Sequence, residues 1–157
     1  MEATEDCSSA LPSAARGGPV SHAVSRVARL HRYAAGRLLR GLGLHPGQEL
    51  VMMRLWEDGP ARQSDLIKLL GLDPSTVTKM LQRLEGAGHV RRRADPADRR
   101  AVLVEATESC ALQEQVERAW AELEEQTLAG LDVAERQQLL GLLARVETNL
   151  CTESDDR

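Results

Sequence analysis

The chain has 157 residues, 42% of them hydrophobic and 28% charged, which suits one soluble domain large enough to bury a core. Aromatic residues make up only 2% and Phe is absent, so the core must come from Leu, Val, Ala and Met, a palette that favours packed helices. The net charge of −4 argues against a nucleic-acid binder until it is divided: residues 61–100 hold nine basic and five acidic side chains, +4, which leaves −8 elsewhere. A basic middle that faces phosphates, between acidic ends that face water, is the expected distribution.

Residues 1–19 are rich in Ser, Ala, Gly and Pro without periodicity and read as a disordered arm. Ser21 is placed to cap a first helix running to about Gly41, with Val20, Val24, Val27, His31, Ala34, Leu38 and Leu42 spaced three and four apart. That narrow stripe over residues 20–43 suits a helix–helix seam. Pro46 fits the first turn of a second helix through Trp56, which Gly59-Pro60 ends.

Two short helices follow, about Gln63–Leu70 and Pro74–Ala87, with Gly71-Leu72-Asp73 between them. Asp73 is a good N-cap and Pro74 a good first helical residue, so the layout is helix, tight turn, helix. His89–Arg93 and Ala101–Glu105 read as two strands joined by the charged, turn-rich loop Ala94–Arg100. A β-hairpin directly behind a helix-turn-helix is a wing. Thr107 is placed to cap a long helix carrying Leu112, Val116, Ala119, Trp120, Leu123 and Thr127. Asp132 is placed to cap a last one carrying Leu139, Leu143, Val146 and Leu150, before a polar tail at 152–157.

From Leu44 to Thr107 the chain resembles the multiple-antibiotic-resistance regulator (MarR) family. The matching residues are Leu44, Gln48, Gly59, Asp65-Leu66, Leu72 through Lys79, Leu81, Leu84-Glu85, Gly88-His89-Val90, Arg92 and Asp95 through Val104. Two departures stand out: Cys110 occupies a position where the family usually has Gly, and Ile67-Lys68 follows Leu66 in place of a small residue. The resemblance implies a mainly helical, six-helix winged helix-turn-helix with a small β-hairpin wing. Residues 44–106 then form the DNA-binding lobe, and residues 20–43 and 107–151 the dimerisation helices. It also implies a cytoplasmic bacterial transcription factor, a homodimeric repressor acting on a palindromic operator in double-stranded DNA.

The second helix of the pair should lie in the major groove with its N-terminal residues at base edges. Ser75, Thr76, Thr78 and Lys79 are donors early in that helix, and Arg83 lies one turn beyond Lys79. Lys79 and Arg83 suit phosphate or guanine equally. In the wing, the resemblance assigns Arg100 to the minor groove, Arg99 to phosphate and Asp98 to bracing the loop. Arg91, Arg92 and Arg93 alternate across a strand, so only part of the trio can face DNA. The end helices carry apolar stripes too long for a small winged domain to cover, and a twofold mate would bury them.

Family members often bind small phenolic or aromatic acids between the dimer helices and the DNA-binding lobe. His31, Met53 and Trp56 are the candidate lining here, with Arg29 or Arg32 for a carboxylate. Alternative switches are zinc, and oxidation of a cysteine. Cys7 falls in the arm, whereas Cys110 sits near a helix N-terminus, a setting that lowers thiol pKa. The cysteines and histidines share no metal-ligand spacing, and no phosphate loop or nucleophile motif appears, so neither a cofactor nor an enzyme is expected. A winged protein-interaction module is the remaining class, though it has no need of Lys79, Arg83, Arg99 and Arg100 together. No apolar run approaches the ~18 residues of a membrane span, and the N-terminus lacks the pattern of a secretory signal.

Overall fold

The computed structural model describes residues 10–107 and 110–154; Cys7 and the rest of residues 1–9 lie outside them. Within the stretch read as an arm, Ser13–Ala15 make one 3-10 turn. Helix α1 (Pro19–Arg40) then begins two residues ahead of the expected cap, with Gly18 at the N-cap and Pro19 in the first helical position. Proline fits there because the N–H it lacks has no intrahelical partner. Arg37 and Arg40 occupy the last turn, where the helix dipole favours cations.

Helix α2 (Gln48–Asp58) starts later than expected, and Pro46 stays outside it. Gly47 is the reason: its φ of 96° is left-handed and cannot continue a helix backwards. Two buried side chains rebuild the start. The Gln48 Oε1 accepts from the His45 N–H at 2.9 Å, and the Glu49 Oε2 accepts from the Gly47 N–H at 2.7 Å. Burial pushes the Glu49 carboxyl above its ordinary value, against those backbone hydrogen bonds.

The helix-turn-helix is α3 (Gln63–Leu70) and α4 (Pro74–Gly86), with Gly71 as a left-handed C-cap between them. Strands β2 (Val90–Ala94) and β3 (Val102–Ala106) form the hairpin, each displaced one residue from the expected span. The pairing sets the displacement: Val90 stands opposite Ala106 and Arg92 opposite Val104, which turns Val90 and Val104 inward. A third strand was not expected. β1 (Ala61–Arg62) pairs antiparallel with the free edge of β3, giving the order β1-β3-β2. Val51, Met52, Leu66, Val77, Leu81, Leu84, Val90 and Val104 make the core of this winged helix-turn-helix.

The chain divides into two units, Met1–Trp120 and Ala121–Arg157, with α5 (Cys110–Thr127) running through the boundary. In the first unit Leu112 and Val116 are buried on α5. Thr107, expected to cap that helix, closes the sheet: its N–H donates to the His89 carbonyl at 2.9 Å and its hydroxyl to the Gly88 carbonyl at 2.6 Å. Residues 108–109, between Thr107 and α5, lie outside the described residues. In the second unit Asp132 and Glu135 form a reciprocal capping box, both bonds 2.9 Å, at the start of α6 (Val133–Ser154). Leu123 and Leu128 are buried, whereas Leu140, Leu142, Leu143 and Leu150 on α6 are exposed.

Candidate nucleic-acid interface

Asp73 organises the first turn of α4. Its carboxylate accepts from the Thr76 N–H at 2.9 Å, from the Ser75 hydroxyl at 2.5 Å and from the Thr76 hydroxyl. The Ser75 and Thr76 bonds hold that carboxyl far below the usual carboxylate range. Thr78 is also engaged: it donates to the Pro74 carbonyl at 2.8 Å and accepts from the Gln63 amide at 3.1 Å. Ser75, Thr76 and Thr78 therefore have their single hydroxyl protons in use within the fold. They are builders of the helix start before they are donors to anything else.

Val77, Leu81 and Leu84 face the core, which leaves Ser75, Lys79, Gln82, Arg83 and Gly86 on the exposed side of α4. The split follows from helical spacing, since residues three, four and seven apart share a face. Lys79 and Arg83 stand together there as the cations of the helix.

The wing is a short loop tied at two carboxylates. The Asp98 Oδ1 accepts from the Arg100 N–H at 3.0 Å, and the Ala101 N–H donates to the Asp98 carbonyl at 2.8 Å. Asp95, absent from the sequence-derived set, does more. It is 8% exposed, accepts from the Ala97 N–H at 2.9 Å, and takes the Arg62 Nε–H at 2.7 Å, tying the loop to β1. The Ala97 N–H, and then Arg62, hold its carboxyl below the ordinary value. Arg99 and Arg100 are left exposed at the tip.

The arginine trio of β2 has other duties. Arg92 grips Glu85 at the end of α4 through two donors, at 2.6 and 3.0 Å. Arg91 and Arg93 both reach Glu105 on β3, at 2.5 and 3.3 Å, and draw its carboxyl below the ordinary value. These pairs fix the hairpin against itself and against α4.

The expected charge map needs one correction. Between residues 10 and 48 there are six arginines and no carboxylate, so α1 is strongly basic and only the C-terminal helices are acidic. A groove along α1 gathers Arg29, Arg32, Tyr33 and Arg40 beside Pro46. His31, Met53 and Trp56, all half-buried, do not line it. Cys110, the first residue of α5, is exposed, as is Cys151. No group of three or more His, Cys, Asp or Glu among the described residues is placed to hold a metal. No helix among them is long and apolar enough to cross a membrane.

This arrangement coincides with a match of residues 44–102 to the MarR family, covering the helix-turn-helix, β2 and the wing loop. A solved probable transcriptional regulator from Pseudomonas aeruginosa is 32% identical with a TM-score of 0.68, covering 78% of this chain and 96% of its own. The chain belongs to the MarR family. MarR proteins are transcriptional regulators, not enzymes. The chain is also similar to the transcriptional repressor NicR of Pseudomonas putida, 33% identical over 100 residues, 63% of each protein. It spans less than two thirds of the length of the HTH-type curated relatives it matches first. BpsR of Bordetella bronchiseptica, whose DNA binding is regulated by 6-hydroxynicotinic acid, is 28% identical with a TM-score of 0.75, covering 84% of this chain and 95% of its own.

Proposed function

We propose that the protein is a homodimeric repressor that binds a palindromic site in double-stranded DNA and leaves it when a small aromatic acid binds. The observation that carries this reading is the pair of exposed cationic elements. Lys79 and Arg83 stand on the free face of α4, and Arg99 and Arg100 stand at the tip of a wing braced by Asp95 and Asp98. A recognition helix in the major groove and an arginine-tipped wing in the adjacent minor groove use both. Exposed Val20, Val24, Val27 and Leu30 on α1, and Leu140, Leu143 and Leu150 on α6, supply the apolar surface for a twofold mate.

With Arg100 in the minor groove, Lys79, Arg83 and Arg99 make up to about six phosphate contacts per dimer, so log K should fall against log salt with a slope of about −5. Anisotropy titrations of a labelled random duplex at rising salt measure that slope. A slope near zero, or no binding at about 50 mM salt, refutes the reading.

The effector part rests on the groove of α1 and on the resemblance to BpsR. Arg29, Arg32 and Arg40 suit a carboxylate, and Tyr33 and Pro46 suit a ring. Thermal shift with 6-hydroxynicotinate should show stabilisation that Arg32→Ala removes. Equal stabilisation of the variant refutes this placement.

A further inference from the structure

Of the side chains on the exposed face of α4, Gln82 is the one that neither the family match nor the charge pattern draws attention to. It lies on the strip formed by Ser75, Lys79, Gln82 and Gly86, at spacings of four, three and four, and it is exposed. No other described residue holds its amide. The hydroxyls of Ser75, Thr76 and Thr78 donate within the fold, to Asp73, Asp73 and the Pro74 carbonyl. Lys79, Gln82 and Arg83 are left as the side chains of this surface with donors to offer.

Their chemistry differs in one respect that matters. Lys79 and Arg83 are attracted to any phosphate, so they add affinity for every sequence as well as for guanine. Gln82 is neutral and gains nothing from a phosphate through charge. Its amide carries a donor and an acceptor side by side, the complement of the N6–H and N7 that adenine shows in the major groove. It lies ~10 Å, about two turns, along the helix from Ser75. Its contact therefore falls on a different base pair from any made by the first turn.

We infer that Gln82 is a specificity-determining residue of α4 that reads an adenine in each half-site of the bound DNA. The inference rests on the DNA-binding reading above, and the experiment separates the two. The full chain and its Gln82→Ala and Gln82→Glu variants are each used to select duplexes from a random pool, and the enriched sequences are compared. An exposed mid-helix position tolerates Ala and Glu, both good helix formers, and circular dichroism confirms that the fold is kept.

The expected result is a motif in which one position per half-site prefers A by about tenfold or more in the parent chain. Gln82→Ala flattens that position alone and leaves the salt slope unchanged. Gln82→Glu moves the preference to C, whose N4 amine a carboxylate accepts. An unchanged motif in both variants, or a uniform weakening at all positions, overturns the assignment. If the parent chain enriches no sequence, the DNA-binding reading fails and takes this inference with it.

Discussion

The dimer is the part of the proposal that a designed perturbation reaches most directly. Leu143 and Leu150 share a face of α6 with Val146 and line one shallow apolar concavity, yet they remain 50% and 60% exposed. Fully burying a leucine is worth about 2 kcal/mol, so these two stand to gain about 1 kcal/mol each when a mate covers them. Replacing both by Ser removes about 2 kcal/mol per protomer. Twofold symmetry repeats the loss, giving about 4 kcal/mol per dimer, close to a thousandfold in Kd. The two positions lie ~10 Å apart along the helix, so their effects should add. Sedimentation equilibrium over a concentration series measures the shift, and circular dichroism checks that helix content survives. Leu69→Ser is the control: it is 55% exposed on α3, a helix that carries none of the proposed dimer stripes, and should leave the Kd alone. A double variant that stays as dimeric as the parent chain would show that this face of α6 serves something other than self-association.

Three further outcomes follow from single side chains. Arg100→Ala should weaken binding to a selected duplex by at least about tenfold, ~1.4 kcal/mol, while the dimer persists; unchanged affinity at fixed salt removes the wing from the interface. Glu49→Gln keeps an acceptor for the Gly47 N–H but drops a buried charge. Burial raises the folded-state value of Glu49, so its cost to stability appears as pH rises through that value and is absent in acid. Thermal melts should show the variant more stable than the parent at pH 7 and nearly equal to it at pH 4; a lower Tm at pH 7 contradicts the sign. Gly86 has negative φ and open space where a Cβ would stand, so Gly86→Ala should stabilise the fold by about 0.5–1 kcal/mol, raising Tm by ~1–4 °C.

What the sequence disclosed depended on how local each signal was. Asp73-Pro74 announces the start of α4 because an N-cap and a proline act on the residues beside them, and the same holds for Asp132 before α6. β1 escaped notice because two residues carry no periodicity; Ala61–Arg62 is a strand only because β3 offers it an edge. The wing brace escaped for a related reason. Asp98 belongs to a recognisable local pattern, whereas the partner that gives Asp95 its role, Arg62, is 33 residues away in sequence. The basic character of α1 was open to view and was lost by averaging, since a remainder of −8 hides a segment with six arginines and no acid.

The hydroxyls of α4 show a different limit. Ser75, Thr76 and Thr78 are the residue types expected of a reader, but a hydroxyl has one proton, and Asp73 and Pro74 claim it within two to four residues. Residue type alone does not separate a donor that closes a helix end from one that waits for a ligand; competition for each proton does. Applied along α4, that competition engages the protons of three expected readers and leaves Lys79 and Arg83, joined by Gln82, with donors to offer. On the proposed DNA-binding reading, the two cations would serve phosphate and guanine alike, and adenine would fall to the uncharged amide.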